Sequence, residues 1–394
     1  MSLLDAVAGT LTLRPGREPS VACDRPIVGT QLLGRLTQGR RAAMLPDLLG
    51  SLFTICAHAH RLTARRAVLA ACGLPVSEAE QRRDALAIGL HTAREHLQRL
   101  AIDWPRLTDR ADADAAAWLR DAPVVTLASA PSSGHDAAWR DAAAPLPRWL
   151  ERRLFGMPPA DWLARWRFDR GDWLDRWSAQ HAHPVTRVLR SVRPTAQKQR
   201  WSGAPLDVPE RGEAGWRALA AEIAADPAFA GRPHWQGAPA ETGPWTRQAA
   251  PDPVGSAWER LGARLADLAR VADAAAHAGV AGRGVLAGGA GRDVLARGSL
   301  CLAPGEAIAW SEMSRGLLVH WVQLEGDERD PALARVQRVQ VLAPTDWNFH
   351  PDGAFARWLA ACPADTDDPA VRLAALALDP CLAFTITRSE ALDA

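Results

Sequence analysis

Leu52-Phe53-Thr54-Ile55-Cys56-Ala57-His58-Ala59-His60-Arg61-Leu62-Thr63-Ala64-Arg65-Arg66-Ala67-Val68 is the stretch on which the reading of this chain turns. Just upstream, Pro46 followed by Asp47-Leu48-Leu49 has the make-up of a first helical turn. Proline gives up only an N–H that would be unpaired there, and an early acid suits the helix dipole. Apolar positions continue through Leu52, Ile55, Ala59, Leu62 and Val68, and Cys72-Gly73 before Pro75 closes the segment. On such a helix Cys56 and His60, four apart, project from one face. A thiolate and an imidazole so placed can share a soft or borderline metal, yet cysteine is as often a plain core residue. Taken alone, the pair does not decide between the two.

Working outward, Ser77 with Glu80 is a capping box that predicts a second helix, with an apolar face of Ala85, Leu86, Leu90, Leu97 and Leu100 and Pro105 just past its end. Stretches near 123–148, 190–212 and 228–255 are rich in Pro, Gly, Ala and Ser and read as loops. Between them Asp161-Trp162-Leu163-Ala164-Arg165-Trp166 is echoed by Asp172-Trp173-Leu174-Asp175-Arg176-Trp177. Their four tryptophans share a helical face, either as a buried aromatic stripe or as a base-stacking platform. Residues 256–279 read as an amphipathic helix through Trp258, Leu261, Leu265, Leu268, Val271 and Ala275. Strand-like runs follow at Ala307–Met313, Gly316–Leu324 and Val336–Leu342, then a helix at Pro369–Leu378. The pattern is α+β, mainly α, with one small β region late in the chain.

Composition narrows the function classes. The chain has 394 residues, is 48% hydrophobic and 23% charged, and carries a formal charge of +1. Such a chain can bury a large core, and it has no overall charge bias towards nucleic acid or an anionic membrane. No run of 18 apolar residues suggests a membrane span. Six irregularly spaced cysteines and an N-terminus without a basic segment predict a reduced, cytoplasmic chain. Gly282-Arg283-Gly284-Val285-Leu286-Ala287 lacks the preceding strand that a dinucleotide fingerprint needs, and Ser132-Ser133-Gly134-His135 lacks a nucleophile-elbow setting.

Four blocks, taken in order, give the chemistry its context. Cys56-Ala57-His58-Ala59-His60 resembles the proximal Cys-x-x-x-His of nickel–iron hydrogenase large subunits, and Asp379-Pro380-Cys381 resembles their distal Asp-Pro-Cys. Glu312-Met313-Ser314-Arg315-Gly316-Leu317-Leu318-Val319-His320 is similar to the family's Glu-Ala-Pro-Arg-Gly-x-x-x-His. Ala343-Pro344-Thr345-Asp346-Trp347-Asn348 is similar to its Val-Pro-Ser/Thr-Thr-Trp-Asn. The departures are specific. Phe53 and Phe384 stand where two of the four cysteines belong, Thr387 replaces the distal histidine, and Ser51 the proximal arginine. Only seven residues follow Thr387, with no visible processing site. The pattern resembles the HupK-type hydrogenase expression/formation proteins, degenerate relatives of the large subunit.

That resemblance implies a large-subunit-like helical bundle spanning 1–394. Within it lie an N-terminal motif region at 25–105, a variable middle at 123–255 and a C-terminal region at 256–394. It implies metal ligation by Cys56, His60 and Cys381, and contacts from Arg315 and Thr345 to the cyanides of an iron–cyanide–carbonyl fragment, an arginine and a hydroxyl being suited to anionic ligands. Two thiolates cannot reproduce a four-thiolate nickel site, so transient iron and no stable nickel are expected. The expected role is non-enzymatic: a scaffold or carrier in hydrogenase maturation. Its partners would be a HypC-type chaperone, the HypD-containing complex or the immature large subunit. A metal-free mimic that binds chaperones, and a residual metalloenzyme, are the alternatives. Cys23, Cys72, Cys301 and Cys362 match no family ligand and are expected to be dispensable, and the imidazole of His58 is expected to be exposed, either assisting the carrier or as a plain solvated helix residue.

Overall fold

Pro46 and Asp47 do open a helix, α1 (Leu45–Leu52), but it stops at Phe53, whose φ of −109° and ψ of 67° are not helical. After a turn at Thr54–Cys56 a new helix, α2 (Ala57–Ala71), departs at 108° to the first. The single helix expected from periodicity is therefore a corner. Its physical reason lies in the side chains at the break: Phe53 and Cys56 turn inward and are buried, while Thr54 and Ile55 remain in solvent. Cys56 is thus the residue that caps α2, with His60 one turn inside, and the two are not neighbours on a continuous helical face. Next, α3 (Glu78–Gln98) carries the expected capping box: the Ser77 hydroxyl accepts from the Glu80 amide and the Glu80 carboxylate accepts from Ser77.

The computed structural model describes residues 9–25, 31–108, 117–125, 127, 136–248, 254–281, 287–288, 292–327 and 329–388. The segments 282–286 and 132–135, which carry the glycine-rich and Ser-Ser-Gly-His motifs, lie outside them. The tandem tryptophan repeat forms α4 (Pro159–Gln180), broken at Asp169–Arg170. Trp162, Trp166, Trp173 and Trp177 are all buried, so the stripe is core and none of the four rings is free to stack on a base. The next helix, α5 (Pro184–Lys198), runs through part of a stretch expected to be loop. Its buried face of Val185, Val188, Leu189, Val192 and Ala196 outweighs the interior Pro194. Further short helices at Asp136–Ala143 and Leu146–Leu150 occupy another expected loop. The long helix α6 (Ala257–Ala281) packs against α3, α4 and α5. Trp258, Leu261, Leu265, Leu268, Val271 and Ala275 are buried on it, and so are Arg260, Arg264 and Asp267, because helices surround it.

Among the described residues, two sheets of more than two strands complete the scaffold, beside two two-stranded ones. Strands β3 (Arg297–Ala303), β4 (Glu306–Met313), β5 (Gly316–Glu325) and β6 (Arg335–Leu342) form an antiparallel sheet in the order β6-β5-β4-β3, matching the late β region, and α2 lies across it. A short helix α7 (Pro344–Asn348) follows β6. A second, three-stranded sheet was not foreseen. In it β7 (Ala383–Ile386), which follows helix α8 (Asp368–Leu378), pairs in parallel with β1 (Thr10–Leu13), and β1 pairs antiparallel with β2 (Val21–Asp24). Leu11 lies opposite both Phe384 and Cys23. Four-residue strands with so little alternation leave no legible signal in one sequence. Among the described residues no single helix is long and apolar enough to cross a membrane.

Candidate functional site

Four elements bring their ends together around two thiols. The α1–α2 corner supplies Cys56, which is buried. The chain leaving α8 supplies Asp379-Pro380-Cys381; Asp379 adopts a left-handed conformation (φ 56°), ends the helix, and is buried, while Cys381 is half-buried. The β4–β5 hairpin supplies Arg315 at its two-residue turn, closed by Met313 opposite Gly316. Gly316 has φ +135° and lies against Thr242, where a Cβ would meet the threonine side chain at 2.8 Å. The first turn of α7 supplies Thr345.

Thr345 and Cys381 touch directly. The Thr345 hydroxyl donates to the Cys381 sulfur at 3.1 Å, and its oxygen accepts the Cys381 backbone N–H at 3.1 Å. Burial pushes the Cys56 thiol up, and a negative charge at Cys381 pushes it further, against the pull of Arg315 and Arg25. The two sulfurs, 325 positions apart in sequence (381 − 56), therefore share one electrostatic environment. Arg315 is buried, donates from Nη1 to Glu95 at 2.7 Å, and has Nε 3.6 Å from Asp379. Burial works against its charge, but Asp379, Glu95 and both thiols hold its pKa above the ordinary value. Ser314, beside it, also hydrogen-bonds Glu95. Asp379 is gripped by Arg264 at 2.9 Å and Arg99 at 2.6 Å, which with Arg315 hold its carboxyl below the usual range despite its burial. The hairpin is tied to α7 through Thr242: its hydroxyl accepts from the Leu317 amide at 3.0 Å, and Asn348 bonds its backbone N–H and carbonyl at 2.8 and 2.9 Å.

One ring nitrogen of His60 is engaged outside this group, while its Nε2 has no hydrogen-bond partner among the described residues. Its Nδ1 lies 3.1 Å from Nε2 of His320, and its ring stacks on Phe53 with centroids 4.1 Å apart. Both histidines are fully buried and held neutral: burial lowers His320 to about 3, and burial, His320 and Arg25 lower His60 well below its ordinary value. So the structure gathers Cys56, Cys381, Arg315 and Thr345, and sets His60 against the histidine of another motif. His58 is not solvated as expected: it is half-buried, its ring stacks on His91 at 4.0 Å, and burial lowers it to about 4. Among the described residues no group of three or more His, Cys, Asp or Glu side chains is arranged to hold a metal ion.

Sequence reasoning missed Glu95, Arg99, Arg264 and Arg25. Arg25 follows β2, is buried, pairs with Asp346 at 2.5 Å, and sits 6.0 Å from the Phe53 ring centroid. Asp346 also accepts from the Ala343 amide at 2.9 Å. Cys23, two residues before Arg25, is within electrostatic reach of Cys381; burial, then Asp346, push its thiol up to about 12. These arrive from sequence-distant elements, and only the fold makes them neighbours.

No family profile matches the chain. It is 38% identical to the hydrogenase expression/formation protein HoxV of Cupriavidus necator, over 98% of this chain and 97% of the relative. It is 29% identical to the hydrogenase expression/formation protein HupK of Rhizobium leguminosarum bv. viciae, over 98% of each. Among solved structures it superposes on the nickel–iron–selenium hydrogenase of Desulfomicrobium baculatum in a reduced, active form, with a TM-score of 0.53 at 14% identity over 92% and 93% of the two chains. A G50T variant of the hydrogenase from Desulfovibrio vulgaris Hildenborough gives 0.51 at 15% identity, over 92% of each chain. The likeness to those enzymes is one of fold.

Proposed function

The chain belongs to the HoxV/HupK hydrogenase expression/formation proteins, and from that premise we propose that it is a non-enzymatic carrier which holds an iron–cyanide–carbonyl fragment during maturation of a hydrogenase large subunit. The observation that carries this reading is the pairing of Thr345 with the Cys381 thiol, beside a buried Cys56 and the Arg315 guanidinium, in a large-subunit-like fold. Phe53 packs on His60 where the catalytic pattern has a cysteine, so that position offers no thiolate to nickel.

The chemistry follows from the protonation states. At neutral pH the unloaded Cys56 is a thiol, because burial disfavours its anion. Iron binding therefore releases a proton, and reprotonation of the sulfur favours release, as a carrier requires. Arg315 would supply an N–H donor to anionic ligands on the iron. The Thr345 hydroxyl, whose one proton points at the Cys381 sulfur in the unloaded protein, would turn from it to do the same, orienting the cargo without binding the metal. A HypC-type chaperone or the HypD-containing complex would load the site, and the immature large subunit would unload it.

Infrared spectroscopy of the protein purified anaerobically from cells making the maturation machinery tests this. Cyanide and carbonyl stretching bands, with iron and without stable nickel, are expected, and Cys56→Ser or Cys381→Ser should remove both bands and iron. A chain that lacks the bands yet still co-purifies with maturation proteins would be a metal-free mimic of the large subunit. One tightly held nickel per chain would also sink the carrier reading.

A further inference from the structure

Arg25 lies outside the four motif blocks, yet it stands at the thiols. It leaves the end of β2 into the interior and is only 5% exposed. One arm of its guanidinium, Nη1, is taken by Asp346, and the Phe53 ring lies 6.0 Å away. Charges at Cys381 and Cys23 act on it, and it acts in turn on Cys56. Its Nε–H has no hydrogen-bond partner among the described residues, and the same is true of Nε of Arg315, which acts electrostatically on both thiols from the hairpin turn. Buried donors are almost always satisfied. Nε is also unpartnered in Arg94, Arg247, Arg264 and Arg270, so it is the placement of Arg25 and Arg315 around the two sulfurs, more than the orphaned N–H by itself, that needs an explanation. Asp346 and Glu95 each engage Nη1 of their guanidinium, and Asp379, 3.6 Å from Nε of Arg315, lies beyond hydrogen-bond reach, so no hydrogen bond satisfies either Nε–H. A neutral ligand would not need two buried cations, whereas an anion with several outward acceptor atoms would use both.

We propose that Arg25 is a second anion-binding residue of this site, donating its free Nε–H, alongside that of Arg315, to acceptor ligands of an anionic metal fragment bound through Cys56 and Cys381. This rests on the carrier reading above and adds to it a donor from the N-terminal sheet. Arg25 then senses the cargo directly, and through Asp346 it ties that contact to the helix bearing Thr345.

The test compares wild type with Arg25→Lys, which keeps the charge and the Asp346 pair but loses Nε. Both are purified anaerobically from maturation-competent cells. The expected result is a shift of the cyanide stretching bands and about tenfold lower iron retention, the loss of one charge-assisted hydrogen bond. Unshifted bands with wild-type retention would overturn the proposal. If Arg25→Lys does not fold by circular dichroism, Arg25→Gln with Asp346→Asn removes both charges together and is read the same way. A wild type without cyanide bands defeats the carrier reading, and Arg25 is then judged alone. Azide, against equal chloride, should raise the melting temperature of the unloaded wild type and not of Arg25→Lys; equal shifts would dismiss Arg25 as an anion-binding residue.

Discussion

Phe53 does two things a cysteine could not: it stacks on His60 and it walls off Arg25. Replacing it with cysteine removes most of a buried ring, and deletions of that size in a packed core cost about 2–4 kcal/mol. The same change adds a third thiol beside Cys56. Phe53→Cys should therefore unfold at lower urea without metal, yet retain iron or nickel more firmly than wild type. Urea titrations with and without added metal measure both effects, and a variant that is destabilised without gaining metal would show that the corner holds the new sulfur away from the site. Phe384 is a milder case. It is half-buried on a short strand, with Arg372 5.3 Å from its ring, so its exchange for cysteine should cost less.

The joint between α2 and the four-stranded sheet is polar where it is deepest. Thr63 meets Ser311 at 2.6 Å and His60 meets His320 at 3.1 Å, all buried. With His320 lowered to about 3 and an ordinary histidine value near 6.5, the unfolded chain takes up a proton across that interval and the folded chain does not. Stability should then fall as pH drops from about 6.5 towards 3, by roughly 1.4 kcal/mol per pH unit for each such histidine. His320→Gln should flatten the acid limb of a denaturation-versus-pH curve by about one proton. An unchanged slope would mean that His320 titrates freely in the folded state. This joint also marks where sequence legibility ended. Pro46, the Ser77–Glu80 box and the 256–279 periodicity are local signals, and they located helices. The break at Phe53 was hidden because the apolar spacing continues through it, and α5 was hidden by its own proline. Of the candidate site, Cys56, Cys381, Arg315 and Thr345 stand in the motif blocks. Glu95 and Arg25 were not, since nothing near either residue records its partner.

At the scale of the molecule, the chain's first and last described strands meet in one small sheet, and Cys381 lies just before the last of them. Cys56 instead sits among α1, α2 and the large sheet, inside the apolar core. Small sheets of short strands open more cheaply than packed helix–sheet cores. The two sulfurs should thus differ in how they are reached: Cys381 through local opening of β1, β2 and β7, Cys56 only through a larger opening. On the carrier role proposed above, a fragment would be met first by the half-buried thiol and then drawn onto the buried one. Iodoacetamide labelling of the unloaded protein, read peptide by peptide, tests the order. Exposed Cys301 should react first and Cys381 next, with little dependence on low urea. Cys56 should lag by at least about tenfold, as an extra opening cost of about 1.4 kcal/mol requires, and should accelerate with urea. Leu11 is fully buried in the middle strand, so Leu11→Ala should speed Cys381 far more than Cys56. Equal labelling of the two sulfurs in both proteins would mean that the site opens at the α1–α2 corner rather than at the joined ends of the chain.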